Sequence, residues 1–195
     1  MAPTNEQELR DMLYSAIYHY KSGPVAIRYP RGHALGVKTG PMKALPLGKS
    51  EKIRDGEDIA ILGLGKMLNE AVKAAEELEK YGVSAEVINP RFVKPIDGQM
   101  LDELAVRFDR VITVEDAQAI GGFGSAVLEH YAQNRNMKFK PEVHILGIPD
   151  KIIQHGTQEE LHHELGLDAA GIASYVRKLY NIPEPEESGV VHSYK

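Results

Sequence analysis

The chain has 195 residues, 43% hydrophobic and 26% charged, a balance that supports one globular core with an attached piece rather than a disordered polymer. A net charge of −5 with scattered Lys and Arg gives no basic face for nucleic acid, and the lack of cysteine excludes disulfides, thiolate nucleophiles and Cys-ligated zinc. MAPTNEQELR has no basic and apolar leader and no apolar run can span a bilayer, so a soluble, cytoplasmic protein without membrane contact is expected.

In chain order, Thr4 or Asn5 is expected to cap a first helix, with Glu6 and Glu8 in its first turn and Leu9, Met12, Leu13 and Ile17 along one apolar face. Lys21-Ser22-Gly23-Pro24 ends it, and residues 25–29 read as a strand stopped by Pro30. A lone helix and strand cannot bury their own apolar faces, so residues 1–32 look like the tail of a domain whose body is elsewhere. Residues 33–48, with Gly36, Gly40, Pro41 and Pro46, read as a surface linker.

A new domain is expected from residue 49. Residues 49–54 read as an edge strand, Asp55-Gly56 as a hairpin-type turn and 58–64 as the first central strand. A helix over 67–81 carries Leu68, Val72, Ala75 and Leu78 on one stripe, with Gly82 at its C′ position. Then come a strand at 84–89, a loop at 90–95, a helix at 99–108, a strand at 111–114, a helix at 124–134, a strand at 142–146 and helices at 157–165 and 168–180. This alternation predicts an α/β fold: an open, mostly parallel twisted sheet with helices on both faces, plus the N-terminal helix-strand piece. The domain runs over 49–180, and the Pro- and Glu-rich tail at 181–195 reads as flexible.

Within VITVEDAQAIGGFGSAVLEHY, residues 111–131, a strand leads through a loop to a helix N-terminus, where backbone N–H groups can meet a negative charge. Gly121, Gly122 and Gly124 can approach a phosphate there. They can equally let the helix pack closely on the sheet, the preferred reading without a full G-x-G-x-x-G. Gly63-Leu64-Gly65 is a second incomplete fingerprint. His162-His163, among Glu159, Glu160 and Glu164, invites a metal, but adjacent side chains on a helix diverge and no HExxH is present, so solvated surface is the preferred reading. His155 belongs to the loop before that helix, where Thr157 and Glu160 have capping-box spacing, and a subunit-interface role for the loop stays open.

Four motif groups in unbroken order carry a resemblance: APTNEQELRDML with GPVAIRYPRG, the PRFVKPID loop, TVED with GGFGSAV, and LGIPD with HGTQEEL and LGLDAAGI. From residue 1 to about 180 they resemble the C-terminal part of the 1-deoxy-D-xylulose-5-phosphate synthase family, in the transketolase group of thiamine-diphosphate enzymes. The resemblance implies condensation of pyruvate with glyceraldehyde 3-phosphate and loss of carbon dioxide, in a cytoplasmic homodimer acting on small molecules. It also implies that residues 1–32 end a central pyrimidine-binding domain. The second arginine of RYPRG falls on Arg31, which would contact the aldehyde's phosphate; a guanidinium suits that role because its planar fork makes paired, charge-assisted bonds. Glu115 and Asp116 can be acid/base groups, but by this resemblance they are structural or interface residues.

The family's cofactor-activating glutamate and histidines lie upstream of residue 1, and no Gly-Asp-Gly with a downstream Asn is present. Thiamine diphosphate and Mg²⁺ are therefore expected only in the full-length enzyme, with no catalytic, cofactor-binding or metal-binding residue in this chain, which alone is expected to be inactive. The alternatives are a noncatalytic dimerisation module, like the C-terminal domains of 2-oxoacid dehydrogenase β subunits, and a free-standing nucleotide or phosphate binder.

Overall fold

The computed structural model describes residues 1–21, 23–134 and 137–183; the expected tail lies outside the described residues from 184 onward. In chain order the elements are α1 (Glu6–Tyr18), β1 (Glu51–Arg54), β2 (Ile59–Gly63), α2 (Met67–Glu79), β3 (Ala85–Asn89), α3 (Gly98–Arg107), β4 (Arg110–Gln118), α4 (Phe123–Gln133), β5 (Glu142–Ile148), α5 (Gln158–Glu164) and α6 (Ala169–Leu179). The sheet order is β1-β3-β2-β4-β5, with β1 antiparallel to β3 and the other three pairings parallel.

β2 and β3 are buried along their whole length, as parallel strands covered on both faces must be. Alternation along the strands divides the core into two layers. Ile59, Ile61, Val87, Ile112 and Val114 point to α2 and α6, where Ala71, Ala74 and Ala75 let the helix lie close and Leu78, Ile172 and Val176 fill the gaps. Ala60, Leu62, Ile88 and Val111 point to α3 and α4, against Leu101, Leu104, Phe123 and Val127. Each fully buried Leu, Ile, Val or Phe contributes about 1.5–3 kcal/mol relative to exposure. The expected open, mostly parallel sheet with helices on both faces is therefore observed.

Two local expectations are overturned. Asp55-Gly56 does not turn β1 back onto β2. Glu57 and Asp58 donate backbone N–H groups to the Ser84 carbonyl, and the Asp58 carboxylate accepts from Ser84 N at 2.7 Å, so the chain passes the start of β3 and leaves β3 between β1 and β2. Residues 25–29 form no strand. No neighbouring ladder offers them an edge; their pairing is with residue 1, whose terminal nitrogen donates to Ala26 O at 3.0 Å and whose carbonyl accepts from Arg28 N at 2.9 Å.

In α1, Asn5 provides the cap by accepting from Glu8 N, as one of the two expected candidates. The side the helix buries carries Glu8, Asp11, Met12 and Ser15, while Leu13 and Ile17 of the expected apolar face are 46% and 64% exposed. Polar partners explain how the helix docks with Leu13 and Ile17 left open. Glu8 accepts from Asn89 Nδ2 at 2.8 Å and Arg91 Nε at 2.7 Å, and at spacing i, i+4 the side chains of Gln7, Asp11 and Ser15 accept backbone N–H bonds from Gly40, Lys43 and Leu45. Residues 33–48 thus run along the helix as a surface segment whose amides are satisfied by α1 side chains.

Candidate functional site

β2 connects through α2 to β3 on one side of it, whereas β4 lies on its other side with α4 on the opposite face. This reversal opens a crevice at the carboxyl ends of β2 and β4, the place where open α/β sheets take ligands. Here the crevice is entered by the chain's own N-terminal segment. Ala2, Pro3, Arg28, Tyr29 and Pro30 meet Leu64, Gly65, Lys66 and Asp116 around a space of about 190 Å³, and Ala2 is buried in the α3/α4 layer. Gly65 has φ +61, in the left-handed region, and a side chain there would stand 3.2 Å from Ala2 Cβ.

The RYPRG motif forms a strap across this crevice. Arg28 Nη1 donates to Asp116 O at 3.3 Å, and Gln158 Nε2 donates to Arg31 O at 3.0 Å. Beneath the strap, Lys66 Nζ lies 3.3 Å from Asp116 Oδ2 and donates to Gln158 Oε1 at 3.0 Å, while His162 Nε2 lies 3.3 Å from Asp116 Oδ1. Spacing i, i+4 puts Gln158 and His162 on one face of α5. On its outer side the strap borders a cavity of about 300 Å³ lined by Leu9, Tyr29, Pro30, His33, Leu35 and Lys66 among others. Arg31 is exposed, and no hydrogen bond or ion pair holds its guanidinium among the described residues.

The other sequence candidates have definite places. Glu115 is 1% exposed and its two carboxylate oxygens accept from Phe123 N at 2.8 Å and Gly124 N at 2.9 Å. It caps α4 and satisfies orphan donors at the positive end of the helix. A Cβ on Gly124 would stand 2.5 Å from Thr113 Oγ1 and 2.7 Å from Ile145, so the glycines serve close helix-sheet packing. With a carboxylate already seated on those N–H groups and side chains behind them, the phosphate reading of residues 121–124 falls. Gly63 likewise lies against the α2 backbone, where a Cβ would meet Leu68 Cα at 2.5 Å.

The two histidines of α5 diverge, as expected, but they are not equally solvated. The His162 side chain is 14% exposed beside Asp116, whereas that of His163 is 80% exposed and its Nδ1 lies 2.7 Å from Asp168 Oδ2. His155 is exposed in the preceding loop. Thr157 and Glu160 form the capping box, and the Thr157 backbone and hydroxyl hold the Glu160 carboxyl below the usual carboxylate range.

Among the described residues no three His, Asp or Glu side chains gather as a metal site. The donors at the α4 N-terminus are occupied by Glu115, so they do not fit a diphosphate cradle. No described helix is long and apolar enough to cross a membrane. Sequence reasoning missed Lys66, Gln158 and His162 as parts of the crevice. Only the i, i+4 spacing of Gln158 and His162 was available as a signal, and it does not name their partners.

The model of the transketolase C-terminal domain family matches residues 48–172. The chain belongs to this family. It is 49% identical over 176 residues to 1-deoxy-D-xylulose-5-phosphate synthase of Aquifex aeolicus, covering 90% of this chain and 27% of that protein. With the synthase of Chlorobium luteolum it shares 42% over 187 residues, covering 94% and 28%. The resemblance carried by the four motif groups is therefore shown, and the chain spans about a quarter of the length of these relatives. Among solved structures, a split gene transketolase described as an inactive β4 tetramer superposes with a TM-score of 0.76 at 28% identity, covering 94% of this chain and 58% of that one.

Proposed function

We propose that this transketolase C-terminal domain chain serves as the C-terminal section of a 1-deoxy-D-xylulose-5-phosphate synthase. That enzyme joins pyruvate to glyceraldehyde 3-phosphate with loss of carbon dioxide, making a precursor of isoprenoids, thiamine and pyridoxal phosphate. The observation that carries the reading is the RYPRG strap at the switch-point crevice, with the Arg31 guanidinium open to solvent, in a chain 49% identical to such a synthase. Residues 1–32 then end the central pyrimidine-binding domain, 33–48 link, and 49–180 form the C-terminal domain. Thiamine diphosphate supplies the carbanion chemistry when bound, and with Mg²⁺ it belongs to sections outside this chain.

Within that scheme Arg31 binds the aldehyde's phosphate, and the section works in a cytoplasmic homodimer. In the chain alone, the exposed Leu13, Ile17 and Tyr18 of α1, without the rest of the central domain over them, give a second copy an apolar surface to cover. The description of the split gene relative as an inactive β4 tetramer supports both self-association and inactivity of a chain of this kind alone.

The test is turnover. The chain alone, given pyruvate, glyceraldehyde 3-phosphate, thiamine diphosphate and Mg²⁺, should produce nothing. In the complete synthase, Arg31→Ala should raise KM for the aldehyde more than about tenfold, or about 1.4 kcal/mol, with pyruvate much less affected. Arg31→Lys should recover only part, keeping charge without the fork. Turnover by the purified chain, or equal effects on both substrates, would sink the reading.

A further inference from the structure

We infer that Gln158 is a positioning residue for Arg31, and that Lys66 and Asp116 hold Gln158 in its working orientation. This rests on the reading of Arg31 as a phosphate ligand. The strap has no ladder to define it: residues 25–32 pair with no strand, and among the described residues the Arg31 backbone has one hydrogen bond, from Gln158 Nε2 at 3.0 Å. Upstream the segment is tied at Ala26 and Arg28, but past Pro30 the Gln158 bond is what orders the backbone, and a phosphate ligand on a loosely held segment loses affinity to the entropy of ordering it. Whatever fixes Gln158 therefore fixes where the guanidinium can reach.

The side-chain amide has one accepting and one donating end, and the structure uses both. An ammonium can only donate, so Lys66 Nζ at 3.0 Å selects the Gln158 oxygen and turns the NH₂ toward the Arg31 carbonyl. Lys66 is the N-cap residue of α2, and Asp116 on β4 draws its ammonium inward at 3.3 Å; the same carboxylate faces His162 one turn along α5. The Thr157–Glu160 capping box fixes the first turn that carries Gln158. Three connections at the carboxyl end of the sheet thus converge on one amide. Gln158 lies close beside Gly32, where an added Cβ would sit 3.5 Å from Gln158 Oε1.

Gln158→Glu separates positioning from mere structure. It keeps the acceptor for Lys66 and places a carboxylate in the first turn of α5, both favourable to the fold, but removes the donor to Arg31 O. Because the sequence contains no cysteine, nitroxide labels at His33→Cys and Glu76→Cys report the strap-to-α2 distance without background. The distance distribution should be narrow in the parent and broad in Gln158→Glu, with the thermal midpoint retained. Lys66→Met, which frees the amide to flip, should broaden it less and serves if Gln158→Glu does not fold.

In the complete synthase, Gln158→Glu should raise KM for the phosphorylated aldehyde about fivefold, the worth of one hydrogen bond near 1 kcal/mol, with kcat and pyruvate KM held. An unchanged distribution overturns the proposal, as does an unchanged aldehyde KM where Arg31→Ala raises it. If Arg31→Ala is itself silent, the phosphate reading has failed and the label distances alone judge whether Gln158 positions the strap.

Discussion

Glu8→Ala should unfasten α1. The Glu8 carboxylate is buried and accepts from Thr4 N at 2.7 Å, Asn89 Nδ2 at 2.8 Å and Arg91 Nε at 2.7 Å. Removing one partner of a buried charge pair costs about 3–5 kcal/mol, because the other is left uncompensated in a low dielectric. Arg91 keeps a second contact, to the half-exposed Glu51, which places the cost near the lower end, about 3 kcal/mol. That cost applies only while α1 is docked, since release returns Arg91 and Asn89 to water. The change should therefore appear as local opening, and 3 kcal/mol corresponds to about a hundredfold faster amide exchange across α1, with exchange in β2 and β4 little altered. Arg91→Ala and the double variant complete a cycle whose coupling should exceed about 1 kcal/mol. Exchange in α1 within threefold of the parent, or a coupling near zero, would refute this account of the docking.

Gly124→Ala should destabilise the fold by about 2–3 kcal/mol in urea unfolding, because the new methyl meets Thr113 and Ile145 and pushes α4 off the sheet. Carboxyl NMR titration should place Glu160 below the ordinary glutamate value and move it only part of the way back in Thr157→Ala, which removes the hydroxyl but keeps the backbone N–H that is the larger cause. Since its folded value is the lower one, the capping box stabilises above the ordinary carboxylate range and loses its contribution as pH falls through the folded value. Leu13→Glu with Ile17→Glu should leave the monomer folded and abolish self-association in sedimentation velocity; an unchanged oligomer would move the interface elsewhere.

What was legible in the sequence was whatever local pattern and chain order determine together. IAILG is a continuous apolar run of strand length and AEVIN a short segment centred on Val87-Ile88, and helices of period 3.6 separate the strands, so the parallel sheet and its two layers follow. The TQEE capping box was legible because it closes within four residues. The α1 orientation was not, because the partners of Glu8 lie more than eighty residues away at Asn89 and Arg91, and hydrophobic patterning registers no polar dock. Residues 25–29 have strand composition, but pairing needs an edge and composition does not supply one. Asp116 was visible as an acid beyond a strand, yet its pairing with Lys66 and His162 exists only once the topology brings the β2, β4 and α5 ends together.

The polar fastening of α1 also sets how the molecule responds to cold. Heat capacity of opening rises with apolar area released and falls with polar area. The sheet, closed by leucine, isoleucine and valine, carries a positive term and weakens on cooling as the hydrophobic effect fades. On α1, apart from Met12, the groups that let go are carboxylates, an amide and a hydroxyl, so its release has a heat capacity near zero or slightly negative. The two parts therefore follow different temperature curves: cooling weakens the packed sheet, while the cost of releasing α1 from it changes little.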